Sequence, residues 1–264
     1  MKQAASIYPL WWNPWGKKGI SFDKKVSISI DNLSYDKTAD IKILFLAEPL
    51  AVLPDVGKEA MKSAYVFDKI YTFCQEVLEK HPQAELFEWG ATGLKHGKLQ
   101  LSKSNKVSFI TSSKSQTDGH RLRLEIFDFL QSFDSKNGLK YYAHKSPPFH
   151  PNKNDFFESY KFHICAENSI QANYFTEKII DCFSSKTLPI YWGCPNLGDW
   201  FEMGGVITFS NLDELKHIVD RLNASCYDRR QNEIEANYET AKKYHTANGV
   251  VPRLTRKITE YVNS

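Results

Sequence analysis

What the sequence lacks narrows its possibilities quickly. No stretch of about 18 apolar residues occurs, so no segment has the character of a membrane-crossing helix. The opening residues, MKQAASIYPLWWNPWG, hold no apolar core of roughly 7–15 residues followed by a small-residue cleavage site. On that ground the chain is expected to be cytoplasmic. Its five cysteines (Cys74, Cys165, Cys182, Cys194, Cys226) form no C-x-x-C pair, which points to reduced thiols and away from a zinc site. The eight histidines show no H-x-x-x-H spacing. Charge of one sign is not in excess either. The 34 Lys and Arg residues stand against 31 Asp and Glu residues. Residues 1–104 carry 14 basic and 12 acidic side chains and the remainder carries 20 and 19, so neither part has the basic field of a nucleic-acid-binding protein.

The familiar phosphate and acyl-transfer motifs are missing as well. There is no G-x-x-x-x-G-K-[ST] loop, no G-x-G-x-x-G after a strand and no G-x-S-x-G elbow. No D-x-D triplet offers to hold a metal on a nucleotide sugar, and the E-x-E at Glu233 and Glu235 falls in a helix expected to face solvent. If a diphosphate binds, side-chain cations and helix dipoles must hold it.

What is present describes a globular α/β protein. Hydrophobic residues make up 42% of the 264-residue chain and charged ones 25%, which excludes a disordered or fibrous chain. The first part reads as short strands, among them 25–30, 41–48, 85–89 and 98–102, around one long helix at about 58–80. From residue 106 a stricter alternation begins. Strands are expected at 106–113, 160–168 and 187–193, and helices at 121–133, 176–185, 212–224, 227–245 and 252–262. Strand–helix–strand spacing implies parallel sheets covered by helices. The three-proline stretch 136–155 is expected to be a loop. The division expected is 1–104 and 105–245, two α/β domains with a cleft between them, and a helix in 246–264 packing back on the first.

Ligands of open α/β sheets collect at the carboxyl ends of the strands. In the second half those ends read TSSKSQTDGHR, AENSIQANYF and WGCPNLGD, and two of them lead into helix N-termini suited to phosphate. Lys178 draws attention there. Thr176 suits the N-cap and Glu177 the first turn, but a lysine in that turn opposes the helix dipole. Either it is solvated, or an anion sits at the helix start. Arg123, near the start of the 121–133 helix, is open to the same two readings. Trp11, Trp12 and Trp15 could stack on sugar rings or close a small core, and core is the more economical reading, as it is for Trp192 and Trp200.

The run YKFHICAENSIQANYFTEKIIDCFSSKTLPIYWGCP (160–195) resembles the donor-binding signature of the α1,3/4-fucosyltransferases, glycosyltransferase family 10, in its bacterial branch. The E-N-[ST] element, the tyrosine six residues after its asparagine, the T-E-K and the later P-[IV]-x-x-G all stand at matching spacing. Ala166 departs from the family's usual phenylalanine. More weakly, VSFITSS…RLRLEIFDFL resembles the segment with a phosphate-binding arginine, placing it at Arg123 with Arg121 as fallback. FLAEPL (45–50) resembles the stretch with the proposed catalytic carboxylate, placing that at Glu48.

The resemblance implies a GT-B fold of two Rossmann-like domains, the first binding a glycan acceptor and the second GDP-fucose. It implies inverting transfer of fucose to a glycan hydroxyl in an α1,3-type linkage. Glu48 would act as base and Arg123, Glu167, Asn168, Tyr174, Glu177 and Lys178 would bind the donor. No metal or other cofactor is obligatory on this reading, and a divalent ion is at most stimulatory. Two other readings stay open: a related transferase with a different GDP-sugar, and a nucleotide-sugar-binding protein without catalysis.

Overall fold

The computed structural model describes residues 2–10, 13–92, 94, 103–133, 139–146, 153–157, 159–245 and 249–264. In chain order the strands are β1 (Gln3–Ala4), β2 (Ser6–Pro9), β3 (Ser21–Phe22), β4 (Val26–Ile30), β5 (Ile41–Leu46), β6 (Lys69–Thr72), β7 (Ala84–Leu86), β8 (Ser104–Ser112), β9 (Lys140–Ser146), β10 (Tyr160–Ala166), β11 (Leu188–Trp192) and β12 (Ile207–Thr208). The helices are α1 (Pro54–Ser63), α2 (Gln75–Lys80), α3 (Asp118–Ser132), α4 (Glu177–Ser184), α5 (Leu212–Arg221), α6 (Ala224–Asp228), α7 (Gln231–Ala241) and α8 (Val250–Asn263). The chain forms two compact units: Met1–Trp89 with Gln171–Tyr174 and Ala247–Ser264, and Gly90–Ile170 with Phe175–Thr246. Each holds one five-stranded parallel sheet, so the α/β class with parallel strands is what the structure has.

The first unit's sheet runs β2-β4-β5-β6-β7, in chain order throughout. Side chains alternate across it. Leu44, Leu46 and Ile70 pack with Ala60, Ala64, Phe67, Cys74 and Val77 in one core. Phe45 meets Phe87 edge-on at 5.3 Å and stacks on Trp89 at 6.0 Å. The Tyr71 hydroxyl donates to the Lys257 carbonyl in α8 at 2.9 Å. Helix α8 buries Val250, Leu254, Ile258 and Val262, one stripe at a spacing of four, and is further tied down by Arg253, whose Nη1 meets Glu88 at 3.0 Å. Trp15 is half-buried, its indole N–H donating to Thr255 at 2.8 Å. Trp11 and Trp12 lie outside the described residues, as does the expected strand at 98–102.

The second unit's sheet runs β12-β11-β10-β8-β9. It is clad on both faces. Phe162, Ile164 and Ala166 of β10, with Ile190 and Trp192 of β11, pack against Ile126 and Leu130 of α3 and Leu215 and Val219 of α5. The intervening Cys165 and Tyr191 face the opposite cluster, with Ile179, Ile180 and Phe183 of α4 and Ala241 of α7. Trp192 belongs to the first of these cores and Trp200 packs at the edge of the second.

Two elements differ from the sequence expectation. The helix expected at about 58–80 is interrupted: α1 ends at Ser63, β6 takes Lys69–Thr72, and α2 begins at Gln75. Ala60, Ala64, Phe67, Ile70, Cys74 and Val77 all enter one core, and their steps of three and four imitate a helical stripe. The stretch 136–155 contains β9, which pairs with β8 from Lys106↔Lys140 to Ser112↔Ser146. Its charged residues suit a sheet edge, while Tyr141 packs on the core and its hydroxyl donates to the Val219 carbonyl at 3.0 Å. Among the described residues no helix is long and apolar enough to cross a membrane.

Leu254 is fully buried in α8. Leu254→Ala is expected to cost roughly 2–5 kcal/mol, read as a lower urea midpoint with an unchanged slope.

Candidate functional site

Strand order positions the site in the second unit. From β8 the chain goes outward to β9 on one side, and from β10 to β11 and β12 on the other. At such a reversal the loops leaving the strand ends diverge and open a crevice. Two helix N-termini converge on the exits of these strands. Thr117 caps α3, accepting from the His120 amide at 3.3 Å, and Thr176 caps α4, accepting from the Lys178 amide at 3.3 Å.

The exit of β10 is tightly held. Glu167 is fully buried, and its carboxylate accepts from the Thr176 amide at 2.9 Å and the Thr176 hydroxyl at 2.7 Å. Lys178 Nζ lies 3.5 Å from the same carboxylate and 3.3 Å from Glu177. The anion at this helix start therefore includes one of the protein's own. Burial pushes the Glu167 carboxyl up, and the Lys178 charge pulls it back. Arg123 is buried too, donating to the Ala166 carbonyl at 2.7 Å, the Glu167 carbonyl at 3.0 Å and Asn168 Oδ1 at 3.1 Å. Helix α3 begins three residues earlier than the sequence suggests, so Arg123 falls in the second turn and faces inward. Arg121 is exposed and paired with Asp118.

Several participants escaped the sequence reading. A Cβ on Gly119 would collide with the Glu167 carbonyl oxygen, and one on Gly193 would lie 2.6 Å from Glu167 Cγ, so both glycines permit close approach to one residue. His120 is buried, with Nδ1 2.7 Å from the Thr117 hydroxyl. Desolvation lowers its pKa to about 4, assisted by the charges of Arg123, Lys114, Lys178 and Arg121. Four cations thus act on one point. The enclosed Ser169 hydroxyl has no hydrogen-bond partner among the described residues, an orphan that a ligand oxygen could satisfy. Among the described residues no group of three or more His, Cys, Asp or Glu side chains could hold a metal ion.

Residues 101–249, more than half of the 264-residue chain, match glycosyltransferase family 10 (fucosyltransferase) in its C-terminal part. The chain belongs to that family. An α-(1,3)-fucosyltransferase of Helicobacter pylori, FucT, is 41% identical over 80 residues, which span 28% of this chain and 17% of that protein. The chain therefore aligns with less than a fifth of that relative's length. A crystal structure of an α1,3-fucosyltransferase with GDP superimposes with a TM-score of 0.54 at 15% identity, over 99% of this chain and 90% of that one. One with GDP-fucose gives 0.54 at 18%, over 97% and 90%. At such identities the likeness is one of fold.

The structure brings Arg123, Glu167, Asn168, Glu177 and Lys178 of this family member together in the second unit. Two residues of the resemblance fall in the first unit. Tyr174 is buried there with its ring 4.9 Å from Phe73. Glu48 follows β5, half-buried at the strand's carboxyl end. Beside it stands a second carboxylate that sequence reasoning missed. Asp31 follows β4, is 4% exposed, and adopts φ +50°, a left-handed conformation that aspartate enters more readily than most residues. Its Oδ1 accepts from the Ala47 amide at 2.7 Å and the Glu48 amide at 3.1 Å. The Asp-Asn pair at 31–32, tolerant of left-handed turns, was its only signal in the sequence.

Burial raises the Asp31 pKa to about 6, against the lowering effect of those two amides. Between the ordinary value of 3.8 and about 6 the folded state thus holds a proton that the unfolded chain has released, and the associated stability is present below 3.8 and lost as pH rises through about 6. Keeping Asp31 charged at neutral pH costs the fold on the order of 3 kcal/mol. Asp31→Asn, which keeps the acceptor and suits a left-handed turn, is expected to melt higher than the parent at neutral pH. That advantage should shrink as pH falls from about 6 toward 4. A lower melting point at neutral pH would contradict the assignment of the shift to burial.

Proposed function

We propose that this family 10 protein is an inverting fucosyltransferase of GT-B architecture, transferring fucose from GDP-fucose to a glycan hydroxyl in an α1,3-type linkage. Two helix N-termini and a cluster of cations at the strand-order reversal of the family-matched unit carry the reading. They form a diphosphate site built without metal ligands. On this proposal residues 1–104 bind the acceptor, 105–245 bind the donor, and the helix in 246–264 completes the first domain. Lys178 faces the diphosphate, shared between it and Glu167. Arg123 contributes its charge from beneath the loop whose carbonyls it holds, while Asn168, Glu177 and Tyr174 complete the donor contacts. Glu48 removes the acceptor hydroxyl's proton as the oxygen attacks the anomeric carbon. The bond to the β-phosphate oxygen breaks on the opposite face, and GDP departs against the positive helix ends.

The nucleotide tests the reading first. GDP is expected to raise the melting temperature much more than UDP or ADP, by the equivalent of ~2.7 kcal/mol at 100 times its Kd. Equal shifts would remove the case for a GDP-sugar. Lys178→Ala removes a charge-assisted contact of roughly 1.5–3 kcal/mol, so GDP affinity should fall at least about tenfold, and undiminished affinity would return Lys178 to a purely internal role. Activity in EDTA should fall only modestly. Complete loss restored by manganese would reveal a metal requirement.

A further inference from the structure

Strands β4 and β5 are neighbours, paired as far as Ile30↔Phe45, and they leave the sheet side by side. The ladder takes one more step, from the Asp31 amide to the Phe45 carbonyl at 2.9 Å. Beyond it the two amides that follow β5, those of Ala47 and Glu48, are taken by a side chain: Asp31 Oδ1, at 2.7 and 3.1 Å. Water or a hydroxyl could satisfy two amides at a strand end. Here a carboxylate does so although it is almost fully enclosed and its backbone sits at φ +50°. Its other oxygen, Oδ2, accepts no hydrogen bond among the described residues. A nearly enclosed carboxylate committed to two strand-end amides, in a left-handed turn, is the kind of feature a functional site retains.

We infer that Asp31 is a positioning residue for the transfer reaction, fixing the backbone from which the Glu48 side chain projects. The inference rests on the proposed role of Glu48 as base. A base must meet the acceptor hydroxyl within hydrogen-bond reach, and misplacement by about an ångström can cost ~10²-fold in rate. Two bonds to one buried acceptor, at 2.7 and 3.1 Å, restrict the freedom of the Glu48 main chain to drift.

The test compares Asp31→Ala, Asp31→Asn and Glu48→Gln in the full chain, using GDP-fucose and the best acceptor found on a glycan array. Rates are expressed per GDP-binding site, so that a reduced folded fraction does not enter. Asp31→Ala is expected to lower kcat by roughly 10–100-fold, with the KM for GDP-fucose and the affinity for GDP near parent values. Asp31→Asn offers the same acceptor oxygen and should recover most of the rate. If the alanine variant does not fold, Asp31→Gly, which takes a left-handed φ freely, carries the same comparison. Glu48→Gln should lose ~10²–10⁴-fold. Retention of more than about a tenth of the parent rate in Glu48→Gln would overturn the base assignment itself. Loss in Glu48→Gln with parent kcat in Asp31→Ala would overturn the role of Asp31 alone. So would an Asn variant as slow as the Ala variant, or a fall in GDP affinity that matches the fall in rate.

Discussion

The second unit is organised around one buried carboxylate. Fully enclosed, Glu167 would cost several kcal/mol if left uncompensated. Its compensation comes from the N-terminus of α4, through the Thr176 amide and hydroxyl, and from Lys178 at 3.5 Å. Each compensating group then constrains another part of the unit. Lys178 occupies a helix turn that disfavours a cation, and Glu167 supplies the charge that reverses the preference. Gly119 and Gly193 are glycines because α3 and the exit of β11 pass too close to Glu167 for a Cβ. Arg123 grips the carbonyls of Ala166 and Glu167 from within α3. The ends of two strands and the starts of two helices thereby meet at one residue, through its backbone carbonyl on the side of α3 and its carboxylate on the side of α4.

That anchor explains how far the sequence could be read. The signature through 160–195 and the strand–helix alternation beyond 106 are local patterns, and they placed β8, α3, β10, α4, β11 and α5 within a few residues of where the structure has them, while missing β9. The conflict at Lys178 was also local, visible as a cation in the wrong turn. Its resolution was not, because the partner on β10's exit is recognisable only once strand and helix are packed. Sequence reasoning offered solvent or an anion at the helix start, without naming Glu167 as that anion. The same holds for Asp31, whose two amide donors lie across a strand pair. In the first unit the error went the other way. The residues of α1, β6 and α2 share a single core, so a true common face produced a false common helix. The β-branched and aromatic run KIYT was the contrary signal, and it was outweighed by a periodicity that persisted across three elements.

The two sheets differ in a way that bears on chemistry. Order reverses between β8 and β10 in one, and four cations gather near that reversal: Lys114, Arg121, Arg123 and Lys178 all help depress His120. Order never reverses in the other, and the strand exits there carry carboxylates, Asp31 and Glu48. For the proposed reaction this separation is a requirement. A departing diphosphate needs concentrated positive charge, whereas nearby cations lower the pKa of a carboxylate and make it a poorer acceptor of protons, an effect that complete burial outweighs at Glu167. His120 shows how strong that field is, held neutral by burial and by its cationic neighbours down to a pKa of about 4. The burial that raises Asp31 to about 6 is the opposite environment, one in which a carboxyl group keeps its affinity for a proton. A general base is useful only where such affinity survives, and the proposed mechanism accordingly takes its base from the exits of β4 and β5.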